Sequence, residues 1–194
     1  MTHSFMACVV DGLSARGVAT LRYQFPYMER SSRRPDASSL AQATVRAAVA
    51  RAARLIPALP LFAGGKSFGA RMTSQAQAEA PLPNVHGLAF LGFPLHPARK
   101  PSTHRAQHLS NIRVPMFFLQ GTRDALAELR LLAPCIEQLG PKATLSLVED
   151  GDHFFHVRAR RGRTDQQALD TALDALVGWI ESRPQPIELP SASA

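Results

Sequence analysis

The chain has 194 residues, 45% of them hydrophobic, which suits one domain that buries a core of its own. It contains no run of about eighteen apolar residues, so the sequence predicts no membrane span. The net charge is +7, but the arginine clusters at residues 30–34 and 158–163 contain no aromatic residues that could stack on nucleic-acid bases. We interpret both clusters as solvated loops, with attraction of an anionic substrate and nucleic-acid binding as the weaker alternatives.

The first quarter of the chain predicts a helix, a strand and a second helix. Apolar residues recur at helical spacing over residues 5–13, and Gly17 ends that helix. Residues 18–25 predict a strand that Pro26 terminates. A basic loop follows, and residues 40–56 then form an amphipathic helical pattern.

The most informative motif lies after a short apolar run at residues 59–63. It places Ser67 between Gly65 and Gly69, directly before a helical stretch at residues 71–79. A G-x-S-x-G sequence on a strand-to-helix turn is a nucleophile elbow, in which a strained turn lifts the serine hydroxyl clear of the sheet. Glycine is expected on both sides because a Cβ there would crowd the neighbouring backbone.

Two other interpretations of this motif exist. Gly65-Lys66-Ser67 could end a phosphate-binding loop, but that loop needs glycine at position 60, where the chain has Pro60. Proline lacks the N–H group that would help to hold phosphate, so nucleotide binding is disfavoured. The remaining alternative is an ordinary strand-to-helix turn with no chemical role.

Three further apolar runs predict buried strands, at residues 85–93, 114–120 and 143–148. Asp124 lies in the loop after the second of these strands, and His153 lies in the loop after the third. Parallel strands end at one common edge, where a site can form. Ser67, Asp124 and His153 therefore have the types, order and positions of a nucleophile, an acid and a base.

The pattern as a whole predicts one α/β domain at residues 1–182 and a Pro/Ser-rich tail at residues 183–194. About five strands alternate with helices, which predicts a mainly parallel sheet covered on both faces, a three-layer sandwich. Residues 94–110 form a long loop, and residues 126–136 a helix. Thr164 to Gln167 resembles a capping box that opens the last helix.

Neighbouring residues compete for the predicted roles. Asp150 and Asp152 are alternatives to Asp124 as the acid, but both lie too close to His153 in sequence to orient its ring easily, and they are better suited to shaping the turn. His156 is an alternative base. We favour His153 because it directly follows the Gly-Asp turn.

The remaining histidines and cysteines predict no metal centre. His104 and His108 are four residues apart, but a zinc protease motif needs glutamate where the chain has Arg105, and arginine opposes a dication. Cys8 and Cys135 are far apart in sequence and are expected to be separate thiols, which suits the cytoplasm.

On these residues the chain resembles the α/β-hydrolase superfamily, close to the dienelactone-hydrolase-like branch that includes the testis-expressed-protein-30-like and KAT8-complex-subunit-like hydrolases. The matching stretches are residues 22–30, 64–71, 90–97, 121–124 and 151–154. The resemblance extends from about residue 5 to residue 180. It implies the α/β-hydrolase fold and an esterase-like serine hydrolase that acts on a small-molecule substrate without a cofactor.

The resemblance and the motifs together suggest a mechanism. Ser67 is expected to attack a carbonyl carbon, His153 to accept the serine proton, and Asp124 to orient the histidine ring. The N–H group of Phe68 is expected to donate to the developing oxyanion. The alternative is a hydrolase-fold scaffold or interaction protein with an impaired site. The oligomeric state is not indicated.

The sequence departs from the resemblance at its front. The family carries a further strand and a Gly-rich loop that supplies half of the oxyanion hole, whereas residues 1–6 already look like the start of the following helix. We therefore expect either a lost front or a start at an internal methionine, and weakened activity in both cases. If the chain nevertheless hydrolyses esters at the full rate, another N–H group must complete the oxyanion hole, and the loop around residues 26–28 is then the place to look for it.

Overall fold

A computed structural model of the chain describes residues 4–158 and 162–183. These residues form six α-helices: α1 Ser4–Ser14, α2 Pro26–Glu29, α3 Ser38–Leu55, α4 Phe68–Glu79, α5 Leu129–Gln138 and α6 Asp165–Glu181. They form four strands: β1 Leu61–Lys66, β2 Val85–Leu91, β3 Met116–Gly121 and β4 Ala143–Val148. Short 3₁₀ helices span His104–Asn111 and Gly140–Lys142.

The four strands form a single sheet in the order β1-β2-β3-β4, and each neighbouring pair is parallel. All six residues of β3 are buried, as expected for an inner strand with helices on both faces. The segment that joins β2 to β3 contains the 3₁₀ helix at His104–Asn111, whereas the sequence predicted only a long loop at residues 94–110. Because the strands are parallel, their carboxyl ends share one edge of the sheet.

Helices cover both faces of this sheet and enclose two apolar cores. One core joins α3, α4 and α5 to the sheet through residues that include Val45, Met72, Leu132, Phe90 and Phe118. The other joins α1 and α6 to the sheet through residues that include Val9, Leu173, Trp179, Phe117 and Leu119. Successive β3 residues alternate between the two cores, as the two-residue strand period requires. The fold is the predicted three-layer α/β/α sandwich.

The predicted strand at residues 18–25 is wrong, and the described sheet has four strands instead of five. A strand needs a neighbour whose backbone groups pair with its own, and β1 pairs only with β2 among the described strands. Aromatic side chains attach this segment to the rest of the molecule instead. The Phe25 ring lies 5.1 Å from the Phe68 ring and 5.6 Å from the Tyr23 ring, measured between centroids.

The last helix begins as predicted. Thr164 is the N-cap of α6, its hydroxyl accepts from the Gln167 N–H at 3.1 Å, and the Gln167 side chain accepts from the Thr164 N–H at 2.9 Å. This is the reciprocal capping box. Among the described helices, none is both long and apolar enough to cross a membrane. Residues 184–194, nearly all of the predicted tail, lie outside the described residues.

Candidate active site

Ser67 lies at the junction of β1 and α4 with an unusual backbone conformation. Its φ is +50° and its ψ is −108°, a region that residues with a Cβ rarely adopt. A Cβ on Gly65 would lie 3.0 Å from the Gly69 carbonyl carbon, a closer contact than a side chain ordinarily makes, which favours glycine at position 65. A Cβ on Gly69 would meet the Phe25 ring at 3.8 Å, an ordinary contact, so the space at position 69 does not by itself call for glycine.

The structure brings Ser67, His153 and Asp124 together. His153 Nε2 lies 2.8 Å from Ser67 Oγ, and His153 Nδ1 lies 2.7 Å from Asp124 Oδ2. A carboxylate can only accept, so Nδ1 carries the proton and Nε2 is left to accept from the serine hydroxyl. Asp124 is only 2% exposed, which keeps its carboxylate directed at the histidine ring.

Asp124 is held by partners that the sequence analysis did not identify. Gln120, the penultimate residue of β3, donates from Nε2 to Asp124 Oδ2, and the Leu126 N–H donates to Oδ1 at 2.8 Å. Gln120 is itself fixed because its Oε1 accepts from the Phe93 N–H at 3.0 Å. A glutamine at the end of an otherwise apolar run is the signal that could have revealed it, since buried polar side chains require partners.

The competing acids and the competing base lie elsewhere. Asp152 Oδ1 accepts from the N–H groups of Phe154 and His156, so this carboxylate shapes the turn that carries His153. The Asp150 N–H donates to Thr122 Oγ1 at 2.9 Å. His156 Nδ1 lies 2.7 Å from Asp165 Oδ2, a hydrogen bond that raises the pKa of His156. The structure thus pairs His153, and not His156, with Ser67.

The loops that carry Asp124 and His153 are joined directly. The Arg123 N–H donates to the Gly151 carbonyl at 2.8 Å, and the Thr122 N–H donates to the Val148 carbonyl at 3.1 Å. Gly121 permits this contact, because a Cβ on it would lie 2.4 Å from the Gly151 carbonyl oxygen. The acid and the histidine are therefore positioned by one continuous backbone contact between β3 and the loop after β4.

Lys66 is a second neighbour of the site that the sequence analysis did not single out. It directly precedes Ser67, and its Nζ donates to the main-chain carbonyl of His153. Burial lowers the pKa of Lys66 to about 8, against the opposing effect of the Asp124 and Asp152 carboxylates. A lysine at the end of a strand that leads into the site was the signal in the sequence.

A cleft of about 510 Å³ opens beside Ser67 and His153. Its walls are mainly apolar and aromatic, with side chains that include Met6, Leu21, Tyr23, Tyr27, Met28 and Phe154. Arg22 and Lys66 also line it, and no aspartate or glutamate of the described residues does. The cleft has the apolar lining and size of a small-molecule site.

The N–H groups near Ser67 decide where an oxyanion could bind. Phe68 is the first residue of α4, so its N–H is one of the donors that a helix leaves without an intrahelical partner. Residues 26–28, the place to look for a second donor if hydrolysis is fast, offer no free N–H group. Pro26 has no N–H, the Tyr27 N–H donates to Asp36 Oδ2 at 2.9 Å, and the Met28 N–H donates to the Phe25 carbonyl at 2.9 Å.

His108 and the two cysteines do not line this cleft. His108 Nε2 lies 2.8 Å from Ser74 Oγ, and burial, together with the nearby Arg71 charge, lowers the pKa of His108 to about 4. Within residues 4–158 and 162–183, no group of three His, Cys, Asp or Glu side chains could hold a metal ion. Cys8 and Cys135 are both free thiols.

This fold and this arrangement define the class of the α/β hydrolases, in which a serine on a strand-to-helix turn meets a histidine and an acid from loops beyond later strands. Residues 1–181 match the family model described as an alpha/beta hydrolase domain. The chain therefore belongs to this family.

Solved structures of the same fold come from several bacteria. An α/β serine hydrolase without a lid from Xanthomonas campestris is 20% identical, with a TM-score of 0.70 over 95% of this chain and 77% of that chain. An α/β serine hydrolase homologue from Coxiella burnetii is 17% identical, with a TM-score of 0.70 over 91% and 77%. A protein of unknown function from Agrobacterium tumefaciens is 19% identical, with a TM-score of 0.68 over 96% and 81%. At these identities the likeness shows the fold alone.

Proposed function

We propose that the protein is a serine hydrolase that cleaves an ester or related carbonyl compound through an acyl-enzyme on Ser67. The observation that carries this proposal is the unbroken hydrogen-bonded chain from Ser67 Oγ through His153 to the buried Asp124. It begins at a strained elbow that borders the cleft. Placement in the dienelactone-hydrolase-like branch and a cytoplasmic location are parts of the same proposal.

The reaction runs in two halves. His153 Nε2 accepts the Ser67 proton while Oγ bonds to the substrate carbonyl carbon, which forms a tetrahedral oxyanion. Collapse of this intermediate breaks the ester bond, and His153 returns the proton to the departing alcohol. Water then attacks the acyl-enzyme by the same steps, which releases the acid and restores the Ser67 hydroxyl. Asp124 holds the ring and stabilises the imidazolium that forms in each half.

The cleft and the elbow set the substrate class. Apolar walls favour an ester whose acyl or alkoxy group is apolar and small enough for a cavity of about 510 Å³. The Phe68 N–H, at the start of α4, donates to the oxyanion, and the helix dipole adds to that stabilisation. No cofactor enters the proposed reaction, and the only proposed partner is the small-molecule substrate.

Covalent labelling tests the proposal. A fluorophosphonate probe should label the wild-type protein, and peptide mapping should place the label on Ser67. Ser67→Ala should remove the label and the hydrolysis of short p-nitrophenyl esters. His153→Ala should do the same, whereas His156→Ala, which removes the neighbouring histidine, should leave labelling intact. Label on another residue, or turnover by Ser67→Ala, would overturn the assignment.

A catalytically impaired scaffold is the second candidate, and one observation favours it. The N–H groups of Tyr27 and Met28 already have partners within the chain, so this loop gives the oxyanion no second donor. Loss of one such donor lowers turnover by about 100- to 1,000-fold in other hydrolases. A folded protein, verified by circular dichroism, that takes no fluorophosphonate label would favour the scaffold.

A further inference from the structure

Lys66 connects the two halves of the proposed site. It is the last residue of β1 and precedes Ser67, while its Nζ donates to the main-chain carbonyl of His153. The His153 ring meanwhile hydrogen-bonds Ser67 Oγ at 2.8 Å. Two adjacent residues of one chain segment therefore hold the main chain and the side chain of the same histidine.

Aromatic rings surround the Lys66 ammonium. Its Nζ lies 4.8 Å from the Phe155 ring centroid, 5.5 Å from that of Phe154 and 5.3 Å from that of Phe5. The Phe5 ring, from α1, stacks on the Phe155 ring at 5.3 Å. Rings at these distances attract a cation and replace part of its hydration shell. They therefore stabilise the charged Lys66 side chain in surroundings that are otherwise largely apolar.

Close packing leaves this lysine little freedom. Gly92 has a φ of +68°, and a Cβ on it would lie 3.2 Å from Lys66 Nζ and 3.5 Å from His153 Cε1. Lys66 forms no ion pair with a carboxylate of the described residues. Its ammonium donates instead to the His153 main-chain carbonyl. Even partial burial of an ammonium without an ion pair is costly. A purely structural role at this position would be filled more cheaply by methionine or leucine.

We propose that Lys66 is a positioning residue that holds the His153 main chain, so that the imidazole stays aligned between Ser67 and Asp124. This inference rests on the proposed function, because the alignment affects turnover only if His153 acts as the base. Fixing a histidine by both its ring and its carbonyl removes rotations that would otherwise separate Nε2 from Ser67 Oγ. Small displacements of a catalytic group are costly in rate.

The test compares three variants in steady-state kinetics. Lys66→Met keeps the length and the apolar contacts but removes the donor, and we expect kcat to fall by about 10- to 100-fold with KM nearly unchanged. Lys66→Arg keeps a charged donor and should restore part of the loss. Lys142→Met is the matched control, since Lys142 Nζ also donates to a main-chain carbonyl, that of Ile112 at 3.0 Å, near the opposite edge of the sheet. It should leave kcat unchanged.

A spectroscopic measurement separates this inference from the proposed function. The proton on His153 Nδ1, shared with Asp124, should give a low-field NMR signal in the wild-type protein. Lys66→Met should broaden or shift that signal while circular dichroism stays unchanged, and Lys142→Met should not. An unchanged signal in Lys66→Met overturns the inference, even if Ser67 takes the fluorophosphonate label. Absence of labelling in the wild type counts against the proposed function alone, because the NMR comparison needs no turnover.

Discussion

At the scale of single residues, the backbone of Ser67, the proposed nucleophile, is strained. The φ of +50° and ψ of −108° are suited to glycine, and such strain costs about 1–3 kcal/mol. Ser67→Gly should relieve this strain, whereas Ser67→Ala should keep it. Glycine also gives the unfolded chain more entropy, which offsets part of the gain. We therefore expect the free energy of unfolding of Ser67→Gly to exceed that of Ser67→Ala by about 1 kcal/mol. Urea unfolding of the two variants measures the difference. The reverse order would show that the elbow is unstrained.

The charge of Lys66 predicts an alkaline limit to activity. Burial lowers its pKa to about 8, although the Asp124 and Asp152 carboxylates favour the charged form. The ammonium therefore predominates below pH 8 and the neutral amine above it. A neutral donor makes a weaker hydrogen bond, so kcat should fall by about threefold to tenfold as pH rises through 8. The arginine in Lys66→Arg stays charged, so the pH–rate profile of this variant should not fall above pH 8. If kcat falls above pH 8 equally in the wild type and in Lys66→Arg, a group other than Lys66 causes the fall.

At the scale of elements, the end of β3 and the loop after β4 are in backbone contact at Gly121. Gly121→Ala would bring a Cβ to within 2.4 Å of the Gly151 carbonyl oxygen, and one of the two segments must move. We expect a loss of about 1–3 kcal/mol in the free energy of unfolding, with slower labelling of Ser67 because His153 shifts from Asp124.

Gly178→Ala is the control for this substitution. Gly178 lies exposed within α6, and a Cβ on it would meet no atom within 4 Å. Alanine in place of glycine inside a helix should therefore raise the free energy of unfolding by about 0.5–1 kcal/mol. Equal effects of the two substitutions would refute the close contact at Gly121.

At the scale of the whole molecule, the partly buried His108 makes stability depend on pH. Its folded pKa of about 4 lies below the ordinary value of about 6.5, so between these values the unfolded chain binds more protons. The contribution of neutral His108 to the free energy of unfolding is fully present above about pH 6.5 and is lost as the pH falls toward 4. The urea midpoint should therefore drop less steeply on acidification in His108→Gln than in the wild type. His104 is exposed, so His104→Gln is the control, and its urea midpoint should vary with pH as in the wild type. If the midpoint of His108→Gln falls with pH as steeply as that of the wild type, the prediction is contradicted.

The sequence by itself determined the layer order and the three residues that meet at the site. Apolar runs, helical spacing and the elbow glycine Gly65 are local signals, because they reflect backbone geometry within a few residues. The order Ser67, Asp124, His153 was equally readable, since each follows a strand and parallel strands end at one edge. The capping box at Thr164 belongs to the same group of local signals.

Only the tertiary structure decided what depends on residues distant in sequence. Residues 18–25 have a strand-like pattern, but a strand forms only where a neighbour pairs with it, and no described strand does. The hydrogen bond between the Phe93 N–H and Gln120 spans 27 positions of the chain, and the one from Lys66 to the His153 carbonyl spans 87, so the local pattern of the sequence reveals neither. Asp124 was separated from Asp152, and His153 from His156, by hydrogen-bond geometry, because neighbouring residues of one type share the same local signal and differ only in where folding points their side chains.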